Sequence, residues 1–165
     1  MLKLTKKADY GLIALRHLTI LAGQDGLRSS ASAKDIAETY KIPLPLLSKV
    51  LQQLAKGGLL ASEQGTNGGY RLARAAKDIS TLDAIRAIDG PIILTKCFTE
   101  HPGCDQTALC PVREPLRKVH EGILGLLRGI SLADLAGDEM PVPSFVLSIR
   151  PMASSIQPDL TGTTR

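Results

Sequence analysis

A chain of 165 residues can bury one substantial core, so one main domain with an appended element is expected rather than two independent folds. Three cysteines confined to fourteen consecutive residues, with an opening MLKLTKKADYG too polar for the core of a secretory signal, argue against a disulfide-stapled secreted fold and for a reducing cytoplasm. The net charge of +4 is unevenly spread: Met1 to Lys77 holds twelve Lys or Arg against five Asp or Glu, while Asp78 to Arg165 holds eight against eleven, which suits a first half that meets a polyanion.

In chain order, the first helix is expected from about Thr5 to Ala22, because Leu4, Ala8, Leu12, Leu15 and Leu18 recur at spacings of three and four and share one face. Gly23 and Gly26 end it. Even its apolar stretch Ile13 to Leu21 carries Arg16 and His17, so no membrane span and no membrane partner are expected. Ser32 caps a short helix through Tyr40 with Ile36 and Ala37 inward. After a turn at Lys41, Ile42 and Pro43, a further helix over Leu44 to Lys56 buries Leu47, Val50, Leu51 and Leu54 and leaves Ser48, Lys49, Gln52 and Gln53 on its other side. Two short helices joined by a tight turn make a helix-turn-helix.

Gly57 and Gly58 stop that helix, Leu59 to Gln64 reads as a strand, Gly65 to Gly69 as a tight loop, and Tyr70 to Leu72 as the returning strand of a hairpin wing. Its glycine-rich tip can approach a phosphate closely, with Arg71 and Arg74 just beyond. Ser80 or Thr81 caps a helix to Asp89 with Leu82, Ile85 and Ile88 inward. After Pro111, the positions Leu116, Val119, Ile123, Leu126 and Ile130 repeat like a coiled-coil seam, which calls for a partner helix, the alternative being a helix packed back on its own domain. Ser131 to Ala136 reads as a final helical turn, and the Pro-, Ser- and Thr-rich remainder as disordered. The expected fold is mainly α with a small β-hairpin: a winged helix-turn-helix domain at 1–90, a cysteine loop at 91–110, a dimerisation helix and short terminal helix at 111–136, and a disordered tail at 137–165.

Cys97, Cys104 and Cys110 stand at C-x6-C-x5-C in a loop containing Pro102 and Gly103. Thiolates select iron–sulfur clusters, zinc or copper(I), and a flexible loop lets three sulfurs converge. Zinc sites more often pair cysteines at C-x2-C, which is missing here. Three sulfurs leave one position open, for His101, a residue elsewhere in the chain, or one from a second subunit. His17 and His120 lie within helices, where packing or surface roles are expected. No Ser/His/Asp arrangement, phosphate-cradling Gly-Lys loop or His-x-x-x-His pair supports an enzyme.

The opening LTKKADYGLIAL, the stretch AKDIAETYKIPLPLLSKVLQQLAKGGLL, the wing GTNGGYRLAR, the helix ISTLDAIRAIDG and three cysteines before a long helix resemble the IscR, NsrR and RirA group of dimeric winged-helix iron–sulfur transcription regulators. The resemblance covers about Met1 to Leu135. It implies a homodimer with crossed long helices, an iron–sulfur cluster of 2Fe-2S or 4Fe-4S type held by Cys97, Cys104 and Cys110, and a double-stranded DNA operator. IscR-like members place a histidine three residues after the last cysteine, where this chain has Arg113. NsrR-like members use an aspartate of the partner's first helix, and Asp9 stands at the matching place. The first cysteine gap is one residue longer than the usual spacing.

The reading is thus a sequence-specific repressor or activator that senses iron–sulfur status, redox or nitric oxide and controls iron–sulfur assembly genes. Ser48, Lys49 and Gln52, with Pro45 nearby, would read base edges, while Lys56, Arg71, Asn67 and Gly68 would hold backbone phosphates. The rival is a cluster-free winged-helix regulator that senses redox or metal through bare thiols.

Overall fold

Thr5 opens the first helix in the computed structural model, which describes residues 4–26, 29–63, 65, 68–98 and 109–137. Its side chain accepts the Ala8 amide, and α1 runs Lys6–Asp25. Ala8, Leu15 and Leu18 are buried as their spacing predicts, while Leu4 precedes the helix and stays exposed. The helix continues through Gly23 and ends a turn later than expected, because only Gly26 takes the positive φ, 93°, that turns the chain out.

α2 (Ala33–Tyr40) begins with a reciprocal capping box: Ser32 accepts the Asp35 amide and the Asp35 carboxylate accepts the Ser32 amide. Lys41, at φ 54° and ψ 41°, closes it in the left-handed conformation. Pro43 then starts α3 (Leu44–Lys56), whose Leu47, Val50, Leu51 and Leu54 are fully buried. β1 (Leu60–Ser62) and β2 (Tyr70–Leu72) pair antiparallel with Leu60 opposite Leu72 and Ser62 opposite Tyr70. β1 is shorter than the Leu59 to Gln64 expected, β2 spans the expected Tyr70 to Leu72, and Ala31 adds an antiparallel bridge to Tyr70, so a third short segment backs the wing.

α4 (Thr81–Asp89) is capped by a Ser80–Asp83 box and buries Leu82, Ile85 and Ile88. α5 (Arg113–Gly129) packs on α4 yet has no fully buried residue. α6 (Leu132–Ala136) carries a third capping box, Ser131 with Asp134. It lies against α1, with Leu132 wholly buried in the common core and the Leu135 carbonyl accepting Arg16 Nε at 3.0 Å. The chain's last described helix therefore completes the core of the winged domain.

Ile130, expected as the final rung of the seam, sits just beyond α5 in extended conformation and is buried in its own chain. Its carbonyl accepts both the amide and the hydroxyl of Thr81, and Ser80 bridges Ser131. That pairing joins residues some fifty positions apart, so local periodicity could not show it. No helix among the described residues is long and apolar enough to cross a membrane.

Candidate functional site

Because α3 buries one face completely, its opposite face is fixed toward solvent. Lys49, Gln52 and Lys56 are exposed there, Pro45 is exposed at the helix start, and Ser48 is half-buried at the edge. Gln53 is turned inward, its side-chain amide reaching the Ile88 carbonyl at 3.5 Å. The wing lies beyond α3, closed by the reciprocal pair Glu63 N–H to Gly69 O at 2.8 Å and Gly69 N–H to Glu63 O at 3.1 Å.

The glycines of the wing answer a tighter constraint than access to a ligand. A Cβ on Gly68 would lie 2.5 Å from the Glu63 carbonyl oxygen, and one on Gly69 would lie 2.6 Å from that of Ala31. Both contacts are to backbone, which cannot move aside. Arg71 spans the hairpin, its Nε donating to Glu63 Oε1 at 2.8 Å, with both side chains partly exposed. An exposed pair of this kind is worth about 0–1 kcal/mol, little enough for a phosphate to take the guanidinium over.

Below α4 the chain leaves through Pro91 to Leu94 and makes a short 3-10 turn, Lys96–Phe98. Cys97 is half-buried within it, a free thiol with the Thr95 hydroxyl 2.7 Å from its sulfur. Phe98 stacks on His120 of α5, ring centroids 5.3 Å apart and planes inclined at 26°. Cys110, also free and half-buried, precedes α5, and its carbonyl accepts the Arg113 amide. Asp9 is exposed in the first turn of α1. Just before it, the Thr5 hydroxyl hydrogen-bonds the Asp89 carboxylate, 2.8 Å from either oxygen, which ties the start of α1 to the end of α4.

The outer face of α5 is charged. Arg117 binds both Glu114 and Glu121, so its guanidinium is held above its ordinary pKa first by Glu114, and Glu114 is held below the usual carboxylate range by the same hydrogen bond. Its apolar positions stay partly open: Val119 is 52% exposed and Leu116, Ile123 and Leu126 are half-buried, while just before the helix Val112 is 55% and Leu109 85% exposed. A groove of about 370 Å³ runs beside it, lined by Leu4, Ile85, Ile92, Ile93, Ile123 and Leu126 among others.

Residues 4–138 match the Rrf2 family, described as "Iron-dependent Transcriptional regulator". The chain belongs to the Rrf2 family. Protein rrf2 of Nitratidesulfovibrio vulgaris is 31% identical over 153 residues, spanning 93% of this chain and 99% of that protein. Among solved structures, CymR (YrzC), the global cysteine regulator of B. subtilis, superposes with a TM-score of 0.65 at 28% identity, covering 82% of this chain and 97% of CymR. T. potens IscR gives a TM-score of 0.64, also at 28% identity, covering 88% and 96%. This Rrf2 chain is accordingly a winged-helix, DNA-binding transcriptional regulator and not an enzyme.

In the Rrf2 chain the expected reading residues Ser48, Lys49, Gln52 and Lys56 share the open side of one helix, with Gly68 and Arg71 in the adjacent wing. Asn67, His101 and Cys104, and with them most of the tail, lie outside the described residues. Among the described residues no group of three or more His, Cys, Asp or Glu side chains is gathered. The seam positions Leu116, Val119, Ile123 and Leu126 stay at least partly accessible, unlike Ile130. The Thr95 hydroxyl at Cys97 and the stacking of Phe98 on His120 were missed. Thr95 and Phe98 flank Cys97 in sequence, but the pairing of Phe98 with a helix more than twenty residues on has no sequence signal.

Proposed function

We propose that this Rrf2 regulator binds its operator as a homodimer and senses iron–sulfur status, redox or nitric oxide through an iron–sulfur cluster at the cysteine loop, controlling genes of iron–sulfur assembly. The single observation that carries the reading is the position of the thiols. Cys97 and Cys110 stand between α4, which packs on the reading helix α3, and α5, the helix with the partly open apolar positions.

The donor set fits such a group. Two free, half-buried thiols, one with a hydroxyl at its sulfur, offer soft ligands with an oriented neighbour. Cys97, Cys104 and Cys110 would hold the cluster as thiolates, with Asp9 of a second copy at the fourth position. When bound, the cluster supplies a redox-active and labile centre.

Homodimerisation is supported by the accessible seam of Leu116, Val119, Ile123 and Leu126 beside an apolar groove. In the dimer, each α3 enters a major groove of one half-site with Ser48, Lys49 and Gln52 at base edges, while Lys56, Arg71, Asn67 and Gly68 meet phosphates. Tightening or releasing the loop shifts α5 against α4 and so alters the spacing of the two reading helices. A hundredfold change in operator affinity needs only about 2.8 kcal/mol of differential stabilisation.

Likeness to a cysteine regulator favours a second reading, in which bare thiols sense without a cluster. Anaerobic reconstitution with iron and sulfide separates the two. The cluster reading predicts visible charge-transfer absorption, abolished by Cys104→Ser. A colourless, iron-free protein under the same treatment contradicts it and leaves thiol sensing.

A further inference from the structure

Buried polar atoms are nearly always hydrogen-bonded, and a buried group left alone costs about 1–3 kcal/mol. Among the described residues, one buried side-chain atom has no partner: Nδ1 of His120. The ring is not loose. It is stacked on Phe98, the residue that follows Cys97 in the short 3-10 turn. Cys97 has the Thr95 hydroxyl 2.7 Å from its sulfur. In sequence, His120 adjoins Val119 of the open seam and stands three positions before Ile123, which lines the groove. One side chain thus touches both the cysteine loop and the dimer-type helix.

We propose that His120 is a positioning residue for the metal group at the cysteine loop: Nδ1, carrying the ring's proton, donates a hydrogen bond to a sulfur anchored at Cys97. The inference rests on the cluster reading above. It explains why a nitrogen is buried without a protein partner, since its acceptor arrives with the cofactor. A donor directed at sulfur favours the more negative, reduced state and raises the reduction potential. It also makes α5 sensitive to the charge on that sulfur through a single imidazole.

Two substitutions separate this role from simple packing. His120→Phe keeps a ring against Phe98 and removes the donor, whereas His120→Asn gives up the ring and places an amide N–H close to the position of Nδ1. Wild-type and both variants are reconstituted anaerobically, assayed for iron and sulfide, and titrated for midpoint potential. The expected result is unchanged cluster content in all three, a potential shifted downward in H120F, and recovery of most of that shift in H120N. A wild-type potential in H120F, or a drop in H120N alone, overturns the donor role while leaving the cluster reading intact. Failure of the wild-type chain to take up iron overturns both.

Discussion

Gly11 lies on the inner face of α1, and a Cβ there would come within 2.2 Å of Ile88 Cδ1 and 3.2 Å of Val50 Cγ1. It permits α1 to approach α3 and α4 at once, beneath the reading helix. Overpacking such a crossing costs about 1–3 kcal/mol, so Gly11→Ala should lower the urea midpoint accordingly; an unchanged midpoint would show that the crossing yields freely. In the sequence, Gly11 is merely a glycine within a helical pattern, because the partners it touches are dozens of residues away. The capping residues were legible for the opposite reason. Ser32 and Ser80 act within four residues, on Asp35 and Asp83, so local spacing pointed to them, whereas the matching box of Ser131 with Asp134 went unread.

At the scale of elements, α6 carries a pH dependence with a definite sign. Hydrogen bonds from Ser131 hold the Asp134 carboxyl below its ordinary range. A depressed pKa stabilises the fold fully above the unfolded value of about 3.9, and that contribution is lost as pH falls through the lower folded value. Asp134→Asn should therefore flatten part of the stability loss below about pH 4, and parallel acid profiles for variant and wild type would contradict the capping role.

α5 makes a different prediction. Its accessible apolar positions flank the groove, so Ile123→Asp should shift the protein toward monomer by sedimentation and weaken operator binding. A stable dimer with full affinity would place the interface elsewhere. The heptad-like spacing raised the expectation of a partner for α5. It could not show that Ile130 is claimed by Thr81 of the same chain, nor that His120 meets Phe98, since both depend on how distant segments fold together.

Across the whole molecule, the basic first half coincides with α3 and the wing, and the cysteine loop and α5 occupy the more acidic remainder. Removing one phosphate contact from such a surface lowers affinity on all sequences and reduces the slope of log affinity against log salt by about 1. Lys56→Ala should show both effects; loss confined to one sequence, with an unaltered slope, would make Lys56 a base reader instead. The separation of basic charge from the cysteines between the halves was legible because charge and cysteine position survive without knowledge of contacts. The packing of α3 on α4 and of α4 on α5 that joins them was not, because only the folded chain displays it.

The central claim is that the state of the cysteine loop is felt by the reading helices. The direct measurement is operator affinity, without oxygen and at fixed salt, on one preparation before and after its iron–sulfur cluster is removed. The expected result is a change of tenfold or more in affinity, or a shifted footprint, and no such change in a Cys104→Ser protein carried through the same steps. Equal affinity and identical footprints for the loaded and stripped wild-type protein would contradict it.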